Sequence, residues 1–435
     1  MVPLSRLLVV AVVVFLLALT NTVSAQTRSD GSEQTSGTSQ DAFRRPIAPV
    51  SAPSAGSPAP VIPFVTISER FDDNVLFTPT NKMQDFVTNV TAGARLNYRD
   101  DMVDGTFRGG LVSEVYVRNP GLNYIGANAA LTAVLDNAVG KVVRGLGLRV
   151  SDAVSYSPRS QAFITPEAPV NSFINGIQAF RNNTLTNATN VLSTYALNPL
   201  DQVRASYSYQ MIRFFNDQPV SGAVGGLFNS DVHTLLTGVE HQLNPSDSIG
   251  GSYQYQQMAF APNTGGPSAM VSVNSAMATW KNSISRELRM EVSPGASILS
   301  SLPGQPQWTL HTSLTWSDTR TAAGVSFYRD IFPGFFFAGS AIRTDGVTLT
   351  LSRILTSQWT VGAQSDYASS RSLGAGSGNL QFKSFGERAF LNYTFYPGLI
   401  ASASATYNHF TFGQVGSENQ LSRQTVTLTL TAEWN

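Results

Sequence analysis

The sequence predicts an all-β protein: a transmembrane, antiparallel, up-and-down β-barrel of about 18 strands, with 16 as the alternative count. Three observations lead to this prediction. From Phe64 onward, segments of about 10–14 residues alternate apolar and polar side chains, which is the length of a tilted membrane strand. Short connections rich in Asn, Asp, Pro and Gly alternate with longer ones. Charged residues make up only 13% of the chain, about half of the roughly 25% usual in soluble domains.

The overall composition narrows the class of protein further. Lys and Arg together number 28, as do Asp and Glu, so we expect no nucleic-acid partner. The mean hydropathy is −0.03 because Ser, Thr, Asn, Gln and Gly replace charge, which is typical of a lipid-exposed barrel with a neutral polar interior. The absence of cysteine excludes a disulfide framework, a thiolate metal site and a lipoprotein anchor.

Residues 1–25 have the pattern of a signal peptide. Arg6 supplies the positive charge, residues 7–19 form an apolar run that is short for a membrane helix, and residues 23–25 are small, so we expect cleavage after Ala25. A retained membrane anchor is the alternative. No later stretch approaches about 18 apolar residues, so we expect no helical span.

Residues 26–62 consist mainly of Ser, Thr, Gly, Gln, Ala and Pro. Such a segment buries too little surface to order itself, so we predict a disordered periplasmic spacer. A tether to peptidoglycan or to another partner is the alternative. Residues 63–435 then form the barrel.

Turn chemistry predicts the connections between strands. The longest, residues 157–181, is a candidate plug of the lumen that Phe163, Phe173 and Phe180 would anchor. The other long connections are 217–228, 263–269, 301–306, 332–341, 371–381 and 413–420. The short connections contain residues 99–101, 136–137, 198–201, 244–247, 286–287, 317–318, 356–357 and 397–398.

An internal repeat supports the predicted up-and-down order of the strands. NPLDQVRASYSYQMIRF begins at Asn198 and NPSDSIGGSYQYQQMAF begins at Asn244, so the repeating unit has the length of one hairpin with its connections. Self-similarity at that period favours an up-and-down order of strands. An even number of strands places both ends of the barrel at the periplasmic rim.

Alternation along several segments indicates which side chains face lipid. In the last segment, Gln424–Asn435, apolar residues occupy one parity, and threonines with Glu433 occupy the other. We expect this segment to pair with residues 65–77 and close the barrel, because an open edge cannot survive in lipid. A soluble sandwich is the alternative, but it needs another layer over each apolar face. The predicted outward sets are Val203, Ala205, Tyr207, Tyr209 and Met211; Leu310, Leu314 and Trp316; Val347, Leu349 and Leu351; Ala389, Leu391, Tyr393 and Phe395; and Val426, Leu428, Leu430, Ala432 and Trp434.

The opposite parity carries the candidate lumen-lining charges. One interpretation is a basic ladder that prefers anionic or hydroxyl-rich solutes. The other, which we favour, is that these are wall charges paired across neighbouring strands. The candidate cations are Arg95, Arg149, Arg204, Arg388 and Arg423, and the candidate counter-charges are Glu114, Glu433 and Asp72.

Signals for catalysis or metal binding are weak. The four histidines lack metal-ligand spacing, so we predict no metal and no cofactor. His311 and Ser313 share a strand face, but that spacing is common and no carboxylate completes a triad, so we predict no enzyme. Residues 72–74 (Asp-Asp-Asn) have oxygens suited to a cation, although a turn is the expected role.

A motif near the start of the barrel resembles a known family. Residues 69–77 (ERFDDNVLF), followed by Asp85 and Phe86, resemble the first-strand signature of the type 2 β-barrel porin family. The resemblance implies an outer-membrane barrel, often found together with exopolysaccharide production, and it brings no catalytic residues. The last segment is similar to the aromatic strand that barrel-assembly machinery recognises, except that Asn435 follows the aromatic residue.

Together these observations predict an outer-membrane channel for small hydrophilic solutes or saccharides, linked by resemblance to exopolysaccharide export. The alternative is a non-conducting structural or docking component of an outer-membrane polysaccharide or secretion assembly. The expected partners are outer-membrane lipid, barrel-assembly machinery, and exopolysaccharide or secretion components. The sequence does not set an oligomeric state.

Overall fold

The computed structural model describes residues 61–434, except for 77, 158–182, 216–227, 263–267, 303, 335–339, 374–379 and 415–416. The predicted signal peptide, nearly all of the predicted spacer, and the candidate plug with its three phenylalanines lie outside the described residues.

The fold is a closed antiparallel barrel of 18 strands. Each strand is hydrogen-bonded to the next one in sequence, and β18 returns to β1, so the sheet has no free edge. The predicted fold class, strand count and closure are therefore confirmed. The strands are β1 Val61–Asp72, β2 Asp85–Arg99, β3 Asp104–Tyr116, β4 Tyr124–Val134, β5 Leu146–Ser157, β6 Thr184–Ala196, β7 Asp201–Phe214, β8 Phe228–Gln242, β9 Asp247–Pro262, β10 Ala269–Ser283, β11 Leu288–Leu299, β12 Gln307–Ser317, β13 Thr321–Gly334, β14 Ser340–Ile354, β15 Trp359–Leu373, β16 Leu380–Tyr396, β17 Leu399–Gln414 and β18 Ser417–Glu433.

The two strands that close the barrel differ in extent from the prediction. β1 begins at Val61 and ends at Asp72, earlier than residues 65–77. Asp72 ends the strand because its Oδ1 accepts the backbone N–H of Asn74 at 3.1 Å, which turns the chain. β18 begins at Ser417, before Gln424, and pairs with β1 from Thr425 to Glu433.

One predicted turn is a helix instead. Residues 136–137 were expected to turn directly from β4 into β5, but α1, Asp136–Val142, connects these strands. Asp136 Oδ1 accepts the N–H of Leu148 at 2.8 Å, which ties the helix to β5. A 3₁₀ helix, Pro120–Leu122, joins β3 and β4. Among the described residues, no helix is long and apolar enough to cross a membrane.

The repeat seen in the sequence is a repeated turn. Asn198 Oδ1 accepts the N–H groups of Leu200 and Asp201 at 2.8 and 2.9 Å. Asn244 Oδ1 does the same for the residues two and three positions later, at 2.8 and 3.0 Å. Each Asn also donates its side-chain N–H to the carboxylate three residues on. Asn-Pro-x-Asp is thus one self-contained way to reverse the chain.

The wall has an apolar outer face and a polar inner face. Along β14, Leu349 and Leu351 are 51% and 50% exposed, whereas Thr348 and Ser352 are 5% and 9% exposed. A closed barrel shields its interior, so the buried polar parity faces inward and the exposed apolar parity faces outward. Trp359 stacks with Tyr393 at 4.5 Å near the end of the barrel that carries the short turns. This is the position of an aromatic girdle.

The inner face is not polar throughout. Along most of its length the inner face of β7–β11 carries buried Ser, Thr and Gln residues. Toward the end that carries the long connections, the same face presents an apolar cluster. These side chains pack against one another and are at most 7% exposed. The cluster consists of Ile212, Phe214, Val232, Met258, Phe260, Val271, Val273 and Leu299 of these strands, together with Ile331 of β13 and Ala341 of β14.

Candidate functional site

The inner wall of the barrel is the candidate functional site. Directly paired residues of neighbouring strands lie on the same side of a sheet, so the register assigns a face to each predicted charge. For example, Arg388 pairs with Gln364 and Thr406, and Gln364 is one of the buried polar residues. The register assigns the inner face to Arg95, Glu114, Arg149, Arg204, Arg388, Arg423 and Glu433.

One ion pair crosses the seam of the barrel, where β18 pairs with β1, near the short turns. Arg95 of β2 reaches over β1 to Glu433 of β18, with Nη2 3.1 Å from Oε2. The Glu433 side chain is 1% exposed, so the pair is largely removed from water. Phe64, which pairs with Glu433, lies between the two strands and is also buried.

A larger ionic network crosses the seam farther up the wall. Arg423 donates its Nε–H to Asp72 Oδ1 at 2.9 Å. Arg70 lies 3.6 Å from Asp72 and 3.4 Å from Glu114, so the two arginines and two carboxylates alternate across β18, β1 and β3. Tyr116 Oη donates to Glu114 Oε2 at 2.9 Å. Both carboxylate side chains are 0% exposed.

Arg70 belongs to this network, although it is not among the predicted lumen-lining charges. The signal was present, because Arg70 and Asp72 are two residues apart and therefore share a strand face. The sequence alone does not give the register of β1, β2 and β3, which brings Glu114 next to Arg70 and Asp72.

The Asp-Asp-Asn motif serves the seam and its adjoining turn. Asp73 Oδ1 accepts the N–H of Gln424 at 2.6 Å, which extends the pairing of β1 with β18 by one residue. Asn74 donates to the carbonyl oxygens of Thr78 and Ser422 at 2.8 and 3.2 Å. The expected turn role is confirmed. Within the described part of the chain, no group of three or more His, Cys, Asp or Glu side chains could hold a metal ion.

Three of the predicted arginines have a different environment. Arg149, Arg204 and Arg388 are exposed, and no carboxylate of the described residues lies within ion-pair distance of them. Glu240, on the same face as Arg204, is bound instead by Lys281 at 2.6 Å. The two interpretations of the arginines therefore apply to different residues: Arg95 and Arg423 are paired, and these three project from the wall.

The rest of the inner wall is rich in hydroxyl groups. Ser275 bonds to Ser297 at 2.6 Å, and Thr344 bonds to Ser370 at 2.8 Å. His311 Nε2 lies 3.0 Å from Asp330 Oδ2, so this histidine is engaged across β12 and β13 rather than with Ser313. A wall of this composition offers many weak donors and acceptors to water or to hydroxylated solutes.

Comparison with known proteins adds a fold-level likeness. No family model matches the chain, and no curated protein matches it. The similarity to the type 2 porins thus stays a prediction. Similar solved structures include the ferric enterobactin receptor PfeA of Pseudomonas aeruginosa, with 8% identity, a TM-score of 0.44, and coverage of 87% of this chain and 81% of that chain. OccK2 (OpdF) of Pseudomonas aeruginosa has 9% identity, a TM-score of 0.44 and coverage of 86% and 98%. OccAB3 of Acinetobacter baumannii has 10% identity, a TM-score of 0.42 and coverage of 86% and 99%.

Proposed function

We propose that the protein is an outer-membrane channel through which small hydrophilic solutes, saccharides among them, diffuse. The observation that carries this proposal is the closed 18-strand barrel with an apolar outer face and a hydroxyl-rich inner face. In lipid every backbone polar group needs an internal partner, and a closed barrel provides one for each strand. Barrels of 16–18 strands are wide enough to leave an aqueous passage.

The exposed inner arginines give the channel a preference for anions. Arg149 and Arg204 lie near the short-turn end of the wall, and Arg388 lies farther up. A guanidinium group stays charged at any physiological pH, so these residues attract anions entering the lumen. Arg95 and Arg423 contribute little to this preference, because a carboxylate neutralises each of them.

Planar-bilayer recording tests the proposal. The full-length protein should give single-channel steps, and under a salt gradient its reversal potential should show anion preference. Converting Arg149, Arg204 and Arg388 to Gln should shift that potential toward zero or toward cation preference, because three fixed positive charges are lost.

The matched control is Arg95→Gln, on the same inner face but paired with Glu433. It removes one cation and releases one carboxylate, so it should move the reversal potential toward cations without abolishing the steps. An unchanged reversal potential in the triple variant would contradict the selectivity claim. Absence of steps from the wild-type protein would contradict the channel itself.

A non-conducting docking component is the second candidate, and the inner apolar cluster favours it. Met258 and Phe260 are 0% and 1% exposed, so that side of the interior is filled rather than open. If this cluster seals the lumen, a variant with Met258→Ser and Phe260→Ser would conduct where the wild type does not.

The link to exopolysaccharide is the finer part of the proposal. It rests on the resemblance of residues 69–77 and of Asp85 and Phe86 to the type 2 porins. Loss of extracellular polysaccharide on deletion of the gene, restored by the intact chain, would support it. Unchanged polysaccharide would remove it and leave the channel proposal standing.

A further inference from the structure

A further arginine, which the sequence analysis did not select, projects into the lumen from β3. Arg108 pairs directly with Arg95 of β2 and with Ala130 of β4, so it lies on the inner face. Its side chain is exposed, and none of the carboxylates of the described residues lies within ion-pair distance of it. Arg95, by contrast, is bound by Glu433 at 3.1 Å. Of these two facing arginines, only Arg108 therefore keeps a guanidinium group that a solute can reach.

An aromatic ring supports the Arg108 guanidinium. The guanidinium carbon lies 4.2 Å from the centroid of the Phe64 ring, although Phe64 belongs to β1, two strands away. The ring can cross β2 because Gly93 lies beneath it: a Cβ at Gly93 would lie 2.8 Å from Phe64 Cζ.

This support orients the cation toward the lumen. Phe64 is 2% exposed, so the wall holds its ring in place. A guanidinium stacked on an aromatic face keeps the N–H groups of its edge available as a planar fork of donors. The Arg108 group is therefore held ready for a planar acceptor such as a carboxylate.

The wall next to Arg108 is lined by small residues. Gly110 follows Arg108 on the inner face of β3, and Ala130 and Ala153 lie beside them on β4 and β5. Both alanines are exposed to the lumen. These three small residues, which we call the Arg108 recess, project little from the wall and so leave room for a ring-sized solute.

Hydroxyl and amide groups border the Arg108 recess. Thr106 and Thr132 pair with each other on its short-turn side. Asn128 pairs with Gly110 on its other side. All three of these polar side chains are exposed. Threonine hydroxyls donate and accept, and an Asn amide does both with different atoms, so this border suits a solute that carries several hydroxyl groups.

We propose that Arg108 and its recess bind a sugar acid, a solute with one carboxylate and several hydroxyl groups on a ring. The guanidinium fork donates two parallel hydrogen bonds to the carboxylate, and the polar border receives the hydroxyl groups. One unpaired guanidinium balances one negative charge. The inference rests on the proposed channel function, because the solute has to enter the lumen, and it names a class of solute for that channel.

Calorimetric titration of the purified full-length protein in non-ionic detergent tests the site without requiring conduction. The probes are galacturonate, galactose, which lacks the carboxylate, and acetate, which lacks the hydroxyl groups. The wild type should bind galacturonate about tenfold more tightly than either other probe, because each of those makes only part of the contacts.

Two variants of Arg108 separate the fork from the charge. Arg108→Gln should bind galacturonate no more tightly than galactose. Arg108→Lys keeps the charge but not the planar fork, so it should bind galacturonate about fivefold more weakly than the wild type. If the Gln variant does not assemble, the Lys variant carries the test.

Arg289→Gln is the matched control. Arg289 is exposed on the inner face of β11, where it pairs with Thr315, and β11 lies eight strands from β3 around the barrel. This variant should bind galacturonate as the wild type does.

The site is overturned if the wild type does not bind galacturonate, or if acetate or galactose binds as tightly. It is also overturned if both Arg108 variants keep the wild-type affinity, or if the control loses affinity equally. Planar-bilayer recording of the same preparation separates this proposal from the channel proposal. Conducting steps without galacturonate binding contradict the site alone, whereas binding without steps contradicts the channel alone.

Discussion

At the scale of single residues, two fully buried carboxylates of the barrel belong to the network at its seam. Asp72 and Glu114 have no exposure, and Arg70 and Arg423 provide their positive partners. Charges removed from water are tolerated only with good partners, and loss of one partner leaves the other uncompensated. The network therefore fixes the register of β18 on β1 and ties β1 to β3 across β2, and its residues are poor candidates for contact with solute.

Asp72→Ala tests this structural role. It leaves Arg70 and Arg423 without their shared carboxylate, so we expect a loss of about 3–5 kcal/mol in the free energy of unfolding. Reversible urea unfolding of the protein in lipid vesicles measures the change. Arg149→Gln, at an exposed inner position, serves as the comparison and should change stability by less than about 1 kcal/mol. Equal losses in the two variants would mean that the seam network is no more important than any other wall charge.

At the scale of elements, strands and turns were predictable and long-range pairings were not. Alternation with a period of two and compact turn motifs such as Asn198–Asp201 are local properties, so they gave 18 strands and most short connections. α1 was missed because Asp136 and Asn137 have the composition of a turn, whereas the contact that ties the helix to β5 involves Leu148. Arg423 and Asp72 are 351 positions apart, and only the closed register shows that they meet.

The last strand provides a test of the assigned faces. Leu430 lies between the apolar residues Ile67 and Ala401, and Thr429 lies between Ser68 and Ser402. Leu430→Lys places a charge against lipid, so we expect a loss of about 2 kcal/mol and poor assembly in cells. Thr429→Lys points to the interior and should assemble normally.

Heat-modifiable migration of membrane fractions on gels reports assembly of both variants. The same comparison examines the proposed recognition of this strand by barrel-assembly machinery. Equal assembly of the lysine variants at 429 and 430 would show that the faces of β18 are assigned wrongly.

At the scale of the whole molecule, the barrel combines three surfaces with separate tasks. The outer face presents exposed apolar side chains suited to lipid. The inner face carries hydroxyl groups, exposed arginines that include Arg149, Arg204 and Arg388, and an apolar cluster near the long connections. The seam network holds the two ends of the sheet together. The channel proposal depends on the inner face alone, and it needs an aqueous path past the apolar cluster.

Swelling of protein-containing liposomes in isotonic sugar solutions tests that path most directly. Uncharged sugars remove any contribution from the arginines, so the rate reports only the width and polarity of the lumen. We predict rapid swelling with monosaccharides and progressively slower swelling with larger oligosaccharides, as expected of a wide polar passage. Swelling no faster than that of protein-free liposomes, at every sugar size, would contradict the account.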